Sequence, residues 1–275
     1  MSQKSIRKIC TMLFGLLPLH AEFRDYPQHA DSPVAQFYYL NHAHQTLDFV
    51  LQKKKEFIGT VRHTMTVWEA LMFLNTLVDE SDPDLHRPQI VHCMQTAEAM
   101  RKDNLPRWFI LVGLIHDLGK ILCLFGEPQW AVVGDTYPVG CAYSPTCVYY
   151  DFFAENPDMQ NSLYQTKYGI YTPHCGLDRV HLSWGHDEYL YHRIKKYLPE
   201  QAAYIIHYHS FYPQHQYNAY DHLLNEYDQE MFTWVKQFQA YDLYSKDETT
   251  AADVEALTPY YQALVEEFFP EPIDW

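Results

Sequence analysis

The chain has 275 residues, of which 47% are hydrophobic and 16% aromatic, including 23 Tyr, which is ample material for one large core. Lys+Arg total 20 against 35 Asp+Glu, a formal net charge of −15 that disfavours nucleic acid and an anionic membrane surface as partners. Cys10, Cys93, Cys123, Cys141, Cys147 and Cys175 show no C-x-x-C pair and no framework spacing, so they read as reduced thiols of a cytoplasmic protein.

In chain order, Lys4, Arg7 and Lys8 precede an apolar run over 9–19 that is too short to span a bilayer and only weakly like a signal peptide. Residues 1–21 read as a variable leader before a domain over 22–275, and no other stretch reads as a membrane segment. Phe37, Leu40, His44, Leu47 and Leu51 step by three and four, as do Val67, Ala70, Leu71, Leu74 and Leu77. Thr66 and Glu69 predict a capping box at the start of the second stripe. Further helices are predicted over 89–102, 108–125, 186–197, 200–208, 228–244 and 259–268. The last has Thr258 as N-cap and Pro259 at its first position. Pro128, Pro138, Pro145, Pro157 and Pro173 interrupt the pattern over 126–180. That stretch is too apolar for disorder and is expected to be a long ordered excursion with room for a short hairpin. The expected fold is mostly α, a single-domain helical bundle.

The pair His116-Asp117 sits within an otherwise apolar helical segment, the kind that belongs in a core. An unpartnered carboxylate there would cost on the order of several kcal/mol. Asp117 therefore needs a cation, and a bound metal answers more simply than Lys120 or the neighbouring imidazole alone. Most of the 16 histidines must be ordinary, and His42, His44, His63 and His86 read as structural. His92, His116, His186 and His209 stand in more buried or more special contexts, and Asp242 is a second acid among apolar neighbours. Nitrogen and oxygen ligands without thiolate suit iron, manganese or zinc. Six ligands exceed what one catalytic metal uses while keeping an open position, so two metals sharing Asp117 is the better count.

These residues follow the His…His-Asp…Asp order of the HD-domain superfamily, and longer strings narrow the match. They are Phe23-Arg-Asp-Tyr26, Leu77-Val-Asp-Glu-Ser-Asp-Pro-Asp84, Leu111-Val-Gly-Leu-Ile-His-Asp-Leu-Gly-Lys120 and Gly134-Asp135-Thr136. Pro173-His-Cys-Gly-Leu-Asp-Arg179, Ser183-Trp-Gly-His-Asp-Glu-Tyr189 and His209-Ser-Phe-Tyr-Pro213 continue it. Over residues 22–275 the chain resembles the myo-inositol oxygenase family, and the resemblance implies an HD-type helical bundle around a dinuclear site. It further implies a mixed-valent ferrous/ferric diiron enzyme of inositol catabolism that takes O2 and opens the ring of myo-inositol to give D-glucuronate. Carried over by position, His92, His116, Asp117 and Asp242 would hold one iron, and Asp117, His186 and His209 the other. Arg24, Asp79, Glu80, Ser81, Lys120, Gly134, Asp135, His209, Ser210 and Lys246 would meet the substrate. Asp117 and Lys120 would be catalytic, Lys120 by easing loss of a proton from a substrate hydroxyl. A monomer is expected. Two alternatives stand beside this reading: an HD-type metal-dependent phosphohydrolase and a metal-stabilised polyol sensor. The mixture of Arg24, Lys120 and Lys246 with Asp79, Glu80 and Asp135 suits a neutral polyol better than a phosphate ester.

Overall fold

Apolar residues spaced by three and four wind most of the chain into helices, and the computed structural model describes residues 32–78, 88–244 and 254–275. Ser32 caps α1 (Pro33–His44) by accepting the Ala35 amide, and Thr46 caps α2 (Leu47–Phe57) by accepting that of Phe49. The stripe from Phe37 to Leu51 is thus two helices broken at Gln45-Thr46, and its members Leu40 and Leu51 are exposed. The Thr66–Glu69 capping box opens α3 (Val67–Leu74), which buries Val67, Ala70, Leu71 and Leu74.

α4 (Gln89–Lys102) lies along α5 (Arg107–Ile115), with Ala97 and Met100 against Gly113. α5 is buried from Phe109 to Ile115. The continuous helix expected over 108–125 breaks at His116 and Asp117, and a 3-10 helix covers Leu118–Phe125. Asp117 sits at φ −88, ψ 0, the bridge conformation between the two helix types. Three residues per turn bring Lys120 directly above Asp117. By length and composition the segment Arg107–Phe125 could cross a membrane, but 72% of it is buried inside the protein, where it forms the middle of the core.

α6 (His186–Ile194) packs on the 3-10 helix and on α7 (Glu200–Tyr208). After α8 (Tyr212–Tyr217), the long α9 (Glu226–Tyr244) crosses α7, α4 and α5. α10 (Val254–Phe268) begins earlier than its sequence signal. Pro259 lies inside it, and the Thr258 hydroxyl donates back to the Val254 carbonyl at 2.7 Å instead of capping. The apolar positions Leu257, Tyr261, Leu264 and Val265 carry the core-facing stripe across the proline. The chain end returns to pair β1 (Thr64–Met65) antiparallel with β2 (Ile273–Asp274), and the buried Trp275 donates its indole N–H to the Met65 carbonyl.

The excursion over 126–180 is ordered without a hairpin. Short 3-10 turns, among them Tyr150–Glu155 and Pro157–Gln160, are held by an aromatic cluster, and one isolated bridge joins Pro138 to Leu182. His42 stacks on Phe153 at 4.0 Å, and Tyr143 covers the same ring at 3.9 Å. His42 is buried and bonded to the Val148 carbonyl, and burial pushes its imidazole down to about 4, so it is a neutral structural residue. Asn41 donates to the Trp130 carbonyl, and Gln45 exchanges two bonds with the Trp184 backbone. The polar end of α1 therefore fixes both edges of the excursion.

Gly119 sets how closely α6 approaches the 3-10 helix, because a Cβ there would fall on the His186 carbonyl oxygen. Gly119→Ala is expected to cost stability at or above the upper end of the ~1–3 kcal/mol of overpacking and to part His186 from Asp117. Thermal unfolding and metal stoichiometry check this. An unchanged melting temperature with full metal content would refute it.

Candidate dinuclear metal centre

Five elements deliver the six residues singled out by sequence. His92 comes from α4, His116 and Asp117 from the break after α5, His186 from the first position of α6, His209 from the end of α7, and Asp242 from α9. The tertiary fold brings all six together. His116, Asp117, His186, His209 and Asp242 are buried, and His92 is half-buried.

The Asp117 carboxylate divides the cluster in two. Its Oδ2 lies 3.4 Å from His116 Nε2 and 3.9 Å from His92 Nε2. Its Oδ1 lies 3.4 Å from His186 Nε2 and 3.6 Å from His209 Nε2. Within each half the two imidazole Nε2 atoms are 3.3 Å apart. Asp242 Oδ1 completes the first half at 3.1 Å from His92 and 3.4 Å from His116.

The ring orientations decide what these atoms offer. His116 Nδ1 donates to the Gly113 carbonyl at 3.0 Å, His186 Nδ1 to Val132 at 2.8 Å, and His209 Nδ1 to Ile206 at 3.0 Å. With Nδ1–H fixed in this way, each Nε2 is the atom that can turn a lone pair to a cation, or carry a proton in its place. Lone pairs and carboxylate oxygens gathered at such distances repel one another unless a cation sits among them. Ligands about 2.1 Å from one metal at right angles are about 3 Å apart, so the donor set fits two metal ions. The nearby Cys93 supplies no thiolate, since burial pushes its thiol up and Asp117 and Asp242 push it further.

Charge is balanced locally. Burial would raise the Asp117 carboxyl, but Lys120, His116 and hydrogen bonds from His186 and His209 hold it well below the usual carboxylate range. Asp242 is likewise buried yet held low by His116 and His92. Lys120 Nζ donates to Asp117 Oδ2 at 2.8 Å.

Ser210 Oγ lies 3.3 Å from His186 Nε2, at the edge of the second half. The Thr136 amide donates to the Ser210 carbonyl, which brings Gly134-Asp135 alongside. Gly134 has φ +88 and the Phe37 ring where a Cβ would be, so only glycine fits there. Asp135 is buried and accepts the Tyr38 hydroxyl at 3.3 Å. Arg24, Asp79, Glu80, Ser81 and Lys246 lie outside the described residues.

Sequence reading passed over several residues that hold the site. Asp187 directly follows His186, and a second His-Asp pair was the available signal. Gln239 and His215 both donate to the His209 carbonyl, and the Tyr212 hydroxyl reaches Asp242 Oδ2 at 3.4 Å. Tyr212 lies in the family string over 209–213, and nothing in the local sequence marks Gln239 or His215. A separate cleft of about 800 Å³ on the far side of α6 contains none of the six residues. It is organised by Glu188, which binds Lys54, His192 and His207.

The family model for myo-inositol oxygenase matches residues 31–275. The chain belongs to the myo-inositol oxygenase family. Inositol oxygenase 1 of Arabidopsis thaliana is 50% identical over 262 residues, covering 92% of this chain and 84% of that protein. The inositol oxygenase of Bos taurus is 52% identical over 243 residues, covering 86% and 85%. That of Dictyostelium discoideum is 47% identical over 264 residues, covering 92% and 90%. In this myo-inositol oxygenase family member the match spans every described residue and all six members of the cluster.

The protonation of His186 gives a test of the metal reading. Burial acts to lower it, but Asp187 and then Asp117 outweigh burial and push it up to about 10, so in the metal-free protein a proton stands where a cation would. A group raised in this way stabilises the fold fully below its unfolded value of about 6.5 and loses that contribution as pH rises towards 10. Asp117 and Asp242, held low, stabilise above the ordinary carboxylate range and lose this as pH falls below it. The melting temperature of metal-free protein is therefore expected to fall in alkali and in acid. Metal loading should release protons at neutral pH and flatten the alkaline fall. Calorimetry in buffers of differing ionisation enthalpy reads the release, and a buffer-independent heat would count against it.

Proposed function

We propose that this chain catalyses the O2-dependent, ring-cleaving oxidation of myo-inositol to D-glucuronate at a mixed-valent pair of iron ions. The observation that carries the reading is the single carboxylate of Asp117 turned towards two separate imidazole pairs, in a chain of the myo-inositol oxygenase family. The reaction balances without a further reductant. One ring C–C bond breaks, the four electrons pass to one O2, and its atoms end in the new carboxylate and in water.

His92, His116, Asp117 and Asp242 would hold one iron, and Asp117, His186 and His209 the other. The pair would supply the redox equivalents and lower the pKa of a coordinated hydroxyl. The protein's own groups bind, orient and balance charge. A cyclitol offers hydroxyls and no charge, so recognition must come from convergent donors and acceptors. Asp135 and Ser210 supply these from the described part of the site, the Gly134 turn packs on Phe37 and so sets the place of Asp135, and His209 lies beside Ser210. We assign Arg24, Asp79, Glu80, Ser81 and Lys246 to the same task by their position in the family strings. Lys120 carries its ammonium beside Asp117, with its side chain only 12% exposed. There it stabilises the oxygen of a substrate hydroxyl as that hydroxyl loses its proton.

We read the protein as a cytoplasmic monomer with no nucleic-acid or membrane partner. The thiols of Cys93, Cys141, Cys147 and Cys175 support a reducing compartment.

Anaerobic loading with ferrous iron, partial oxidation and electron paramagnetic resonance should give a coupled mixed-valent signal that changes on adding myo-inositol. One O2 should disappear per D-glucuronate formed. No O2 uptake, together with phosphate release from generic esters, would replace this reading with the hydrolase. Lys120→Met is expected to keep both metals and lower kcat about 100-fold. A rate within twofold of wild type would remove Lys120 from the chemistry.

A further inference from the structure

Asp187 is 2% exposed, and the functional reading above gives it no task. Its Oδ1 lies 2.8 Å from His186 Nε2, accepts the Ser210 hydroxyl at 3.0 Å and lies 3.5 Å from His209 Nδ1. Its Oδ2 accepts the Ser210 amide at 3.1 Å. Among the described residues no lysine or arginine pairs with it. A buried carboxylate without a lysine or arginine is costly to keep, and a cation held in this half of the cluster would offset that cost. All of its partners belong to one half of the cluster. Asp242 does the corresponding work in the other half, but by direct approach to both Nε2 atoms.

The Ser210 bonds have a chemical consequence. A hydroxyl has one proton, and that of Ser210 is committed to Asp187 Oδ1. The remaining lone pairs of Ser210 Oγ then face the site as an acceptor, 3.3 Å from His186 Nε2. A substrate O–H would donate to Ser210 there for as long as the Ser210 hydroxyl donates to Asp187.

We propose that Asp187 is the positioning residue of the His186/His209 half, holding Ser210 as an acceptor for a polyol hydroxyl and placing a carboxylate beside His186 Nε2 and His209 Nδ1 that favours a cation in that half. The Ser210 part rests on the polyol-oxygenase reading, whereas the cation part does not. Asp187→Asn keeps the shape but offers one oxygen where Ser210 needs two acceptor sites, and it removes the charge.

The test titrates metal-depleted full-length protein with ferrous iron under anaerobic conditions and measures steady-state kinetics with myo-inositol. In Asp187→Asn one of the two metal equivalents is expected to weaken about 10–100-fold while the other is unchanged. KM should rise about tenfold with a smaller loss in kcat. Combined with Ser210→Ala, the KM effect should not add to that of Ser210→Ala alone. A merely structural role would lower the melting temperature without selecting one metal equivalent. Unchanged metal affinities and an unchanged KM in folded Asp187→Asn would overturn the proposal. If that variant does not fold, Asp187→Glu decides: it keeps the charge but displaces the carboxylate, and wild-type binding at both sites would overturn the proposal. Wild-type protein that binds two metals but does not turn over myo-inositol would sink the polyol reading, while the metal titration still decides the role of Asp187.

Discussion

Everything in the site depends on one buried carboxylate. Asp117 faces His92 and His116 with one oxygen and His186 and His209 with the other, and Lys120 lies over the first. In a core of this polarity an isolated carboxylate would protonate instead of staying charged. It is kept ionised only because cationic or proton-bearing groups approach from several elements at once. The bundle is therefore constrained to bring the ends of α5, α6 and α7 and a turn of α4 to within about 4 Å of a single residue, with a turn of α9 beside His92 and His116.

Two local devices meet that constraint. The change from α-helix to 3-10 helix at Asp117 stacks Lys120 over the carboxylate. Gly119, inside the 3-10 helix, lets the backbone of α6 come close enough for His186 to reach it. The excursion over 126–180 serves the same centre, since the Val132 carbonyl takes both the amide and the Nδ1 proton of His186. Its anchorage lies in α1 and the residue after it, where Asn41, His42 and Gln45 use polar side chains to tie loops that have no ladder of their own. Loops of this length stay ordered only when their backbone groups find such partners.

Much of this was legible in the sequence. The helices over Gln89–Lys102 and Glu200–Tyr208 begin and end where the apolar period does, and the Thr66–Glu69 box marks its helix start by local hydrogen bonding alone. The misread elements were those where two local preferences compete. Pro259 looks like a helix start, yet the stripe running through it packs against the core on both sides and the helix continues. The segment over 108–125 looks like one helix because apolar residues fill it, and nothing in its period reports the change of winding at Asp117. A hairpin suits the turn residues of the excursion, but its aromatic rings found better contacts with His42 and with each other.

By itself the sequence determined the helical class, the need of Asp117 for a cation and the family strings, because each depends on residue type and short-range spacing. Only the tertiary structure decided which oxygen of Asp117 faces which imidazoles and that Asp187 stands behind Ser210 and His209. It also decided that Gln239 and His215 hold the His209 carbonyl. Those contacts join residues far apart in the chain or depend on which way a side chain turns. Their distances follow from how helices pack around the close approach at Gly119, which no local pattern of residues encodes.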